Sequence, residues 1–329
     1  MAIPSGLDAQ LMVGEQTDYS TPATVDSGFE FRSESLSLDS QRIESSAFRP
    51  GQRVLRSNRW RQSQKSTSGD VTMELATVSM GTWFKHMFGS VSTSQPDATN
   101  AASVYEHTFT PGPLKGKNLT VQVGRPDESG TVQPFTYPGC KVSSWTLSSA
   151  VGEFATLAVS LVGQDEDTTT SLETASYPAD IDLLTFVDGS ITIAGSAVDV
   201  RSISLEGTNG LATDDYVHGA RTRREPTEVG TEGSQARTYT GTIEKYFADL
   251  TAYNRFVQGT EAEMVLLYEG TTIEGTFNYA VEVTANVRFD GTTPQVSDTS
   301  VLMQSLPIKV IDNGTTSISA LYRTTDQTV

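Results

Sequence analysis

Few residues in this sequence have the types and spacings that support catalysis. The three histidines, His86, His107 and His218, are scattered along 329 residues. No H-E-x-x-H pair, C-x-x-C pair, phosphate-binding Walker sequence or G-x-S-x-G nucleophile turn occurs. His86 falls in a segment with helical periodicity, where a structural role is favoured over metal ligation. We therefore expect that the protein is not an enzyme and uses no cofactor.

Two acidic runs and one cysteine are the remaining candidates for chemistry. Asp165-Glu166-Asp167 and Asp214-Asp215 carry oxygens that could bind a cation. Such runs are more often solvated loop charges, so we expect no metal site. Cys140 is the only cysteine, which excludes an intrachain disulfide. It lies in the strand-like Cys140-Lys141-Val142 and is typical of a small core residue.

Positive charge is concentrated in one long polar segment of an otherwise acidic chain. The chain has 23 Lys and Arg against 40 Asp and Glu, a net charge of −17, yet the segment from Asp39 to Ser68 is rich in arginine. A second long polar segment, Gly207 to Thr240, mixes arginines with acids. Loops of about thirty residues are rare in compact domains and are usually functional or disordered. We interpret both segments as arms.

Three roles fit such arms: docking against an acidic partner surface, contact with nucleic acid, or no partner beyond solvent. The overall acidity argues against a whole surface that grips phosphates, and the nearest complementary surface is another copy of the chain. Self-association is therefore favoured, with the solvated loop and nucleic-acid contact as alternatives. The candidate interface residues are Arg42, Phe48, Arg49, Arg53, Leu55, Arg56, Arg59, Trp60 and Arg61 in the first arm and Arg221, Arg223 and Arg224 in the second.

The amino terminus and the hydropathy pattern bear on location. The opening Met-Ala-Ile-Pro-Ser-Gly-Leu-Asp lacks the basic and apolar regions of a signal peptide. No apolar run approaches the ~20 residues that a membrane span requires. We expect a soluble protein that is made in a cytoplasm and has no membrane partner.

The elements that must position the arms include a short helix at Ser79–Gly89. Its apolar residues follow the i, i+3, i+4, i+7, i+8 stripe of a helix with one buried face. Ser79 is the predicted N-terminal cap, and Gly89 can end the helix at a positive φ. The predicted packing residues are Met80, Trp83, Phe84 and Met87.

The same pattern recurs 170 residues later, at Asp249–Gly259. Leu250, Tyr253 and Val257 take the places of the first packing residues, and a glycine again ends the segment. The pattern Arg-Ser-x-Ser-Leu also occurs twice, at 32–36 and at 201–205. Because both repeats keep the same order and nearly the same offset, we interpret the chain as one domain written twice.

Alternating apolar residues predict strands around both helices, so the fold class is mainly β. Low hydrophobic and charged content with abundant Ser, Thr and Gly agrees with this. We expect two tandem β-sandwich or open-barrel domains, each of about six to eight strands with one short helix packed on them. The first spans 1–168, with an N-terminal arm at 1–28 and an arm loop at 39–68. A linker follows at 169–183, and the second domain spans 184–329 with an arm loop at 207–240.

The N-terminal ninety residues resemble the start of the major tail tube proteins of long-tailed, siphovirus-type phages. The order and spacing of several segments carry the resemblance, and no single motif is diagnostic. These segments are Gly6-Leu7-Asp8-Ala9-Gln10, Glu15 to Tyr19, Phe29 to Leu38 with Ser33-Glu34-Ser35-Leu36, the arginine-rich arm, Gly69 to Leu75 and the helix that ends at Gly89.

The resemblance implies a non-enzymatic structural virion protein of the phage tail, assembled in the host cytoplasm. In that family, subunit sheets join into a ring, and stacked rings form the tube through which DNA leaves the capsid. The long arm reaches an adjacent ring or subunit, and an acidic lumen lets DNA pass without specific binding. The implied partners are further copies, a tape measure protein and tail-end proteins. Because the domain occurs twice, a trimeric ring with pseudo-sixfold symmetry is preferred. The alternative is a hexamer of whole chains in which one of the two domain copies decorates the outside of the ring.

Two other classes of function are alternatives. A carbohydrate- or surface-binding β-sandwich module would present exposed aromatic platforms in its loops, where this sequence offers few beyond Trp60 and Tyr216. A hydrolase on a β scaffold would need a nucleophile and a base, for which no motif is present.

Overall fold

The structure is a computed structural model that describes residues 5–179, 181–230, 237–291, 293, 296, 301–315 and 317–329. Its strands, in chain order, are β1 (Gln10–Gln16), β2 (Ser27–Phe29), β3 (Ser33–Glu34), β4 (Ser37–Glu44), β5 (Trp60–Glu74), β6 (Gly89–Ser94), β7 (Tyr105–Pro111), β8 (Asn118–Pro126), β9 (Val132–Ala150), β10 (Thr156–Gly163), β11 (Gly189–Ile193), β12 (Ser196–Ala197), β13 (Ser202–Thr208), β14 (Leu211–Ala212), β15 (Thr227–Glu228), β16 (Thr238–Tyr246), β17 (Ala262–Glu274), β18 (Phe277–Phe289), β19 (Met303–Val310) and β20 (Ile318–Thr324). The α-helices are α1 (Gly81–Phe88) and α2 (Thr251–Gln258), and short 3-10 helices cover Gly6–Asp8 and Ser57–Arg59.

The predicted mainly-β class with short helices is confirmed. Strands such as β10 and β20 alternate buried and half-buried residues along their whole length, which is the pattern of a sheet with one face on the core. Seven consecutive residues of β8 are buried, so this strand is covered on both faces. Neither α-helix in the described part of the chain is long and apolar enough to cross a membrane.

In the N-terminal half, residues up to 168, the strands pair in the order β2, β1, β8, β9, β10, β5 and β4. The long strand β9 changes partners along its length. Its residues from Val132 to Cys140 pair with β8, and those from Lys141 to Ser148 pair with β10. A strand shared in this way turns one sheet into the corner of a sandwich.

The C-terminal half, residues from 184 onward, has the same order of pairing. There β12 pairs with β11, β11 with β17, β17 with β18, β18 with β19, β19 with β16, and β16 with β13. All of these ladders are antiparallel, as they are in the N-terminal half. Each helix follows the strand that leaves its arm, since α1 follows β5 and α2 follows β16.

Two ladders join the halves into one sheet. β13 pairs with the end of β9, from Ser202 opposite Ala150 to Thr208 opposite Ser144. β20 pairs with β18 on one side and with β7 of the N-terminal half on the other. Further backbone hydrogen bonds cross the boundary between the halves, such as those from Lys65 to Arg221 and from Ala155 to Leu184.

The N-terminal segment differs from its prediction as an extended arm at 1–28. Within its described residues, which begin at 5, β1 forms ladders with both β2 and β8. Leu11, Met12 and Val13 are all buried. Their continuous apolar run fits a strand that is covered on both faces, so this segment belongs to the sheet.

Two further segments are held by backbone hydrogen bonds. Residues 89–111 contain the β6–β7 hairpin. The linker predicted at 169–183 has no strand in its described residues, which exclude 180. It nevertheless lies against the sheet, because the backbone N–H of Gly28 donates to the carbonyl of Ser176 at 2.8 Å.

Candidate functional site

The first arm is a long β-hairpin rather than a loop. β4 and β5 pair from Ser37 opposite Ser68 to Glu44 opposite Trp60, with one irregularity between Ser40 and Arg42. Alternating Ser, Thr and charged residues favour extended backbone with both faces in solvent. The prediction of an arm loop over 39–68 is therefore corrected, since only the tip from 45 to 59 lies outside the two strands.

The tip of this hairpin is exposed throughout, because every residue from 41 to 62 is exposed. Two of its apolar side chains are almost uncovered by the described residues, with Phe48 97% and Val54 79% exposed. Leu55 and Trp60 are exposed to a smaller degree. A cluster of uncovered apolar side chains on a projecting hairpin marks a surface for a protein partner.

Six arginines lie between residues 41 and 62, with Glu44 as the one acid among them. Arg42 lies over the ring of Trp60, 6.0 Å from its centre, and Arg61 donates to the carbonyls of Asn58 and Trp60. Among the described residues none of the six forms an ion pair; the other four are Arg49, Arg53, Arg56 and Arg59. The hairpin therefore presents unneutralised positive charge beside apolar side chains.

The second arm has a different placement, and one of its predicted interface residues, Arg223, is buried within the chain. Its described residues, which exclude 231–236, fold back onto the base of the first arm and onto the N-terminal half. Arg223 is buried and donates to the carbonyls of Thr67 and Thr213. Arg221 donates to the carbonyl of Ser63 at 2.9 Å. The side chain of Arg224 remains exposed.

Buried ion pairs fix the second arm in this position. Lys141 Nζ lies 2.8 Å from Glu225 Oε1, and Arg237 lies 2.9 Å from Glu228. The carboxylates of Glu225 and Glu228 also accept the backbone N–H groups of Gly116 and Leu114. The acids that distinguish the second arm from the first thus bind it to its own chain.

Burial shifts the pKa of Lys141 downward, although the hydrogen bond that Lys141 donates to Glu225 acts in the opposite direction. Burial also opposes the ionisation of Glu225, but its bonds to Lys141 and Gly116 outweigh that effect and lower its pKa. This pair was not predicted from the sequence. The sequence did contain a signal for it, because Lys141 lies between Cys140 and Val142 in a strand predicted to belong to the core. A charged side chain in a core strand requires a buried partner.

The two helices differ in how they bury their predicted packing residues. Met80, Trp83, Phe84 and Met87 on α1 are all buried. The ring of Trp83 meets Phe29 edge-on at 5.4 Å, and the ring of Phe84 lies 5.7 Å from Tyr322. α1 therefore packs at the boundary between the halves.

The termini of α1 differ in part from their prediction. Ser79 does not cap the helix, which begins two residues later without a side-chain cap. Its backbone N–H donates instead to the carboxylate of Asp326, which the C-terminal half supplies. Gly89 lies at φ 92° just after the helix and donates to the carbonyl of Lys85.

The packing predicted for α2 does not hold within the chain. Leu250 is 57% and Val257 61% exposed, and Tyr253 is half-buried. Ala252 is the buried residue of this helix. α1 is covered by β7, β20 and the C-terminal residues, whereas α2 has no corresponding hairpin above it in the described residues.

The candidates for chemistry are dispersed and occupied by structural contacts. His86 is buried, with Nε2 3.2 Å from Glu15 Oε1, and burial lowers its pKa. His107 is buried between Thr93 and the carbonyl of Asp326, while His218 is exposed. The described residues contain no group of three metal-ligating side chains.

The acidic run and the cysteine have similar structural roles. Asp165 pairs with Lys65, and Asp167 accepts hydrogen bonds from Thr169 and Thr170. Cys140 is fully buried, and burial raises the pKa of its thiol to about 12. These residues therefore take part in contacts within the fold.

The exposed β4–β5 hairpin is therefore the candidate functional surface among the described residues. Comparison with individual curated proteins finds no match. Comparison with protein families finds the phage tail tube protein family, whose model matches residues 6–310. Because that match takes in nearly the whole chain and both of its halves, the chain belongs to the phage tail tube protein family.

Proposed function

We propose that copies of this chain assemble into rings, and that the rings stack into the tail tube through which DNA leaves a long-tailed phage. Membership of the family makes the protein a structural component of the phage tail that self-assembles into a tube. The ring, its symmetry and the passage of DNA are the proposed part. The observation that carries the proposal is the exposed, arginine-rich β4–β5 hairpin.

The hairpin fits contact with another copy. Its six arginines carry no ion pair among the described residues, while the whole chain has a net charge of −17. Opposite charge steers such a tip toward the acidic surface of a second subunit. Phe48, Val54 and Leu55 add apolar surface to bury on contact. In stacked rings, we place this contact between one ring and the next.

The order of strand pairing supports a ring of three chains with pseudo-sixfold symmetry. The two halves have the same order of antiparallel pairing, which fits one domain at 1–168 and a second at 184–329, joined by a linker. β13 joins the halves by pairing with β9. β4 holds the corresponding place in the N-terminal half, and in the described residues it pairs only with β5. A neighbouring chain that pairs with this free edge would close the sheet into a ring.

The charge of the assembled protein supports its role as a conduit. An excess of carboxylates repels DNA phosphates, so a lumen lined with acids would let DNA slide without specific contacts. We further propose a tape measure protein and tail-end proteins as partners, with assembly in the host cytoplasm. A hexamer of whole chains with the second copy outside is the rival arrangement.

Electron microscopy of the purified chain tests the proposal. We expect rings and hollow tubes in negative stain. Replacing residues 45–59 by Asn-Gly joins the paired residues Glu44 and Trp60 through a two-residue turn. This variant should retain its circular dichroism spectrum and its rings but form no long tubes.

A charge series provides the matched control. Changing Arg49, Arg53, Arg56 and Arg59 to lysine keeps the charge and should preserve the tubes, whereas changing them to glutamate should abolish stacking. Tubes of normal length from the glutamate variant would refute the assigned role of the hairpin. A wild-type chain that stays monomeric at every salt concentration would refute ring assembly itself.

A further inference from the structure

Helix α2 carries an exposed apolar stripe. Leu250, Tyr253 and Val257 are spaced three, four and seven residues apart, so they lie on one face of the helix. Leu250 and Val257 are more than half exposed, while Ala252 on another face is buried. The helix thus packs on its own sheet through Ala252 and the partly buried Phe256 and turns Leu250 and Val257 outward.

The exposed apolar surface continues from the helix onto the neighbouring strands. Tyr246, at the end of β16, is exposed and pairs directly with the exposed Met303 of β19. The backbone N–H of Phe247 donates to the carbonyl of Leu302, which brings the chain leading into α2 beside these residues. We call Tyr246, Leu250, Tyr253, Val257 and Met303 the α2 face.

The corresponding helix shows what covers such a surface. On α1 the stripe is buried, in part by residues of the C-terminal half. Phe84 lies against Tyr322, and Phe88 stacks on Tyr239 at 6.2 Å. A Cβ atom added to Gly81 would lie 2.1 Å from the side chain of Val329. Residues of the C-terminal half therefore cover the apolar stripe of α1 in the N-terminal half.

We propose that the α2 face is an assembly surface covered by a second copy of this chain. The proposal rests on the ring assembly proposed above. Within one chain, α1 is buried where the N-terminal half meets the C-terminal half. In a head-to-tail ring, the C-terminal half of each chain also meets the N-terminal half of the next, and a repeated contact of this kind is heterologous. In that second contact, the α2 face of one chain would be buried against the N-terminal half of the next chain.

A thiol-protection experiment tests the proposal. Cys140 is fully buried and its pKa is raised, so the native chain offers no reactive thiol to interfere. A Val257→Cys variant places a thiol on the α2 face. A matched Thr251→Cys variant places one at an exposed position of the same helix, about 100° from Leu250 around the axis.

The measured quantity is the ratio of the maleimide labelling rates of the two variants. Both thiols should react readily in free chains. In tubes made from the purified chain alone, we expect the labelling rate of Val257→Cys to fall by at least about tenfold relative to that of Thr251→Cys. The reason is that a covered thiol reacts only through local opening of the structure. An unchanged ratio in tubes overturns the proposal while leaving the proposed tube function standing.

A second pair of variants tests whether the contact is needed for assembly. The double substitution Leu250→Glu and Val257→Glu should prevent rings and leave urea unfolding of the free chain unchanged, since both side chains are already exposed. Thr251→Glu should assemble normally. Rings with normal yield from the double variant overturn the proposal. Failure of the wild-type chain to form any ring instead overturns the proposed function, and this inference with it.

Discussion

The ion pair between Lys141 and Glu225 gives the sharpest test of how the second arm is held. The side chain of Lys141 is 2% exposed and that of Glu225 is 26% exposed. Changing Glu225 to Gln keeps the shape and an acceptor for the N–H of Gly116, but removes the ion-pair partner of the buried lysine and leaves it only the weaker attraction of Glu228. Breaking a buried pair in this way costs about 3–5 kcal/mol. The partial exposure of Glu225 places the expected loss near the lower end, at about 3 kcal/mol.

Urea unfolding of the free chain, followed by tryptophan fluorescence, measures this loss. A change of about 3 kcal/mol also lowers the melting temperature by roughly 4 °C in a chain of this size. Asp290→Asn is the matched control, because Arg288 and Asp290 form a pair at 2.7 Å with both side chains more than 40% exposed. Exposed pairs contribute about 0.2–1 kcal/mol.

A double variant separates charge burial from other causes. Adding Lys141→Met to Glu225→Gln removes the unpaired charge, so it should restore stability to within about 1 kcal/mol of the wild type. The reasoning is refuted if Glu225→Gln costs no more than Asp290→Asn, or if the second substitution lowers stability further.

Three further predictions concern the packing around α1. Trp83→Ala should lower the free energy of unfolding by about 3–5 kcal/mol, measured in urea; a loss below about 1 kcal/mol would contradict its place in the core. Gly89→Ala should lower the melting temperature more than Gly116→Ala, because both have positive φ but only at Gly89 would a Cβ meet a carbonyl, at 2.4 Å; equal losses would contradict this. Burial opposes the ionisation of Glu15, but bonds from His86 and Lys85 outweigh it and lower its pKa from 4.5 to about 2. This group therefore stabilises the fold above pH 4.5 and loses that contribution as the pH falls toward 2. The unfolding free energy of Glu15→Gln should depend less on pH across that window, and an unchanged dependence would count against the assigned contacts.

Local patterns in the sequence predicted the fold class and the places of both helices. The apolar stripes at Met80–Phe88 and Leu250–Val257 have the helical period, and period-two alternation indicated most of the core strands. Both signals depend only on neighbours within one element. They can therefore be recognised without knowing how the other elements pack.

The same patterns could not say what lies opposite each element. The stripe on α1 meets β7 and β20, whereas that on α2 faces solvent, and nothing local distinguishes the two. The second arm resembled a free arm because its arginines lie in a long polar segment. Its position depends on Lys141 and on the backbone at Leu114, more than eighty residues away in sequence. The strand β1 was missed because its three consecutive apolar residues show no alternation.

The strand β9 has a mechanical consequence for any assembly built from this chain. Its nineteen residues pair with both β8 and β10 of the N-terminal half, and its far end also pairs with β13 of the C-terminal half. A hinge between the halves would have to break the β9–β13 ladder, and the β7–β20 ladder would oppose it from the other side. The two halves of a subunit therefore move together as one rigid unit. Bending of a tube built from such subunits must then occur at the interfaces between subunits.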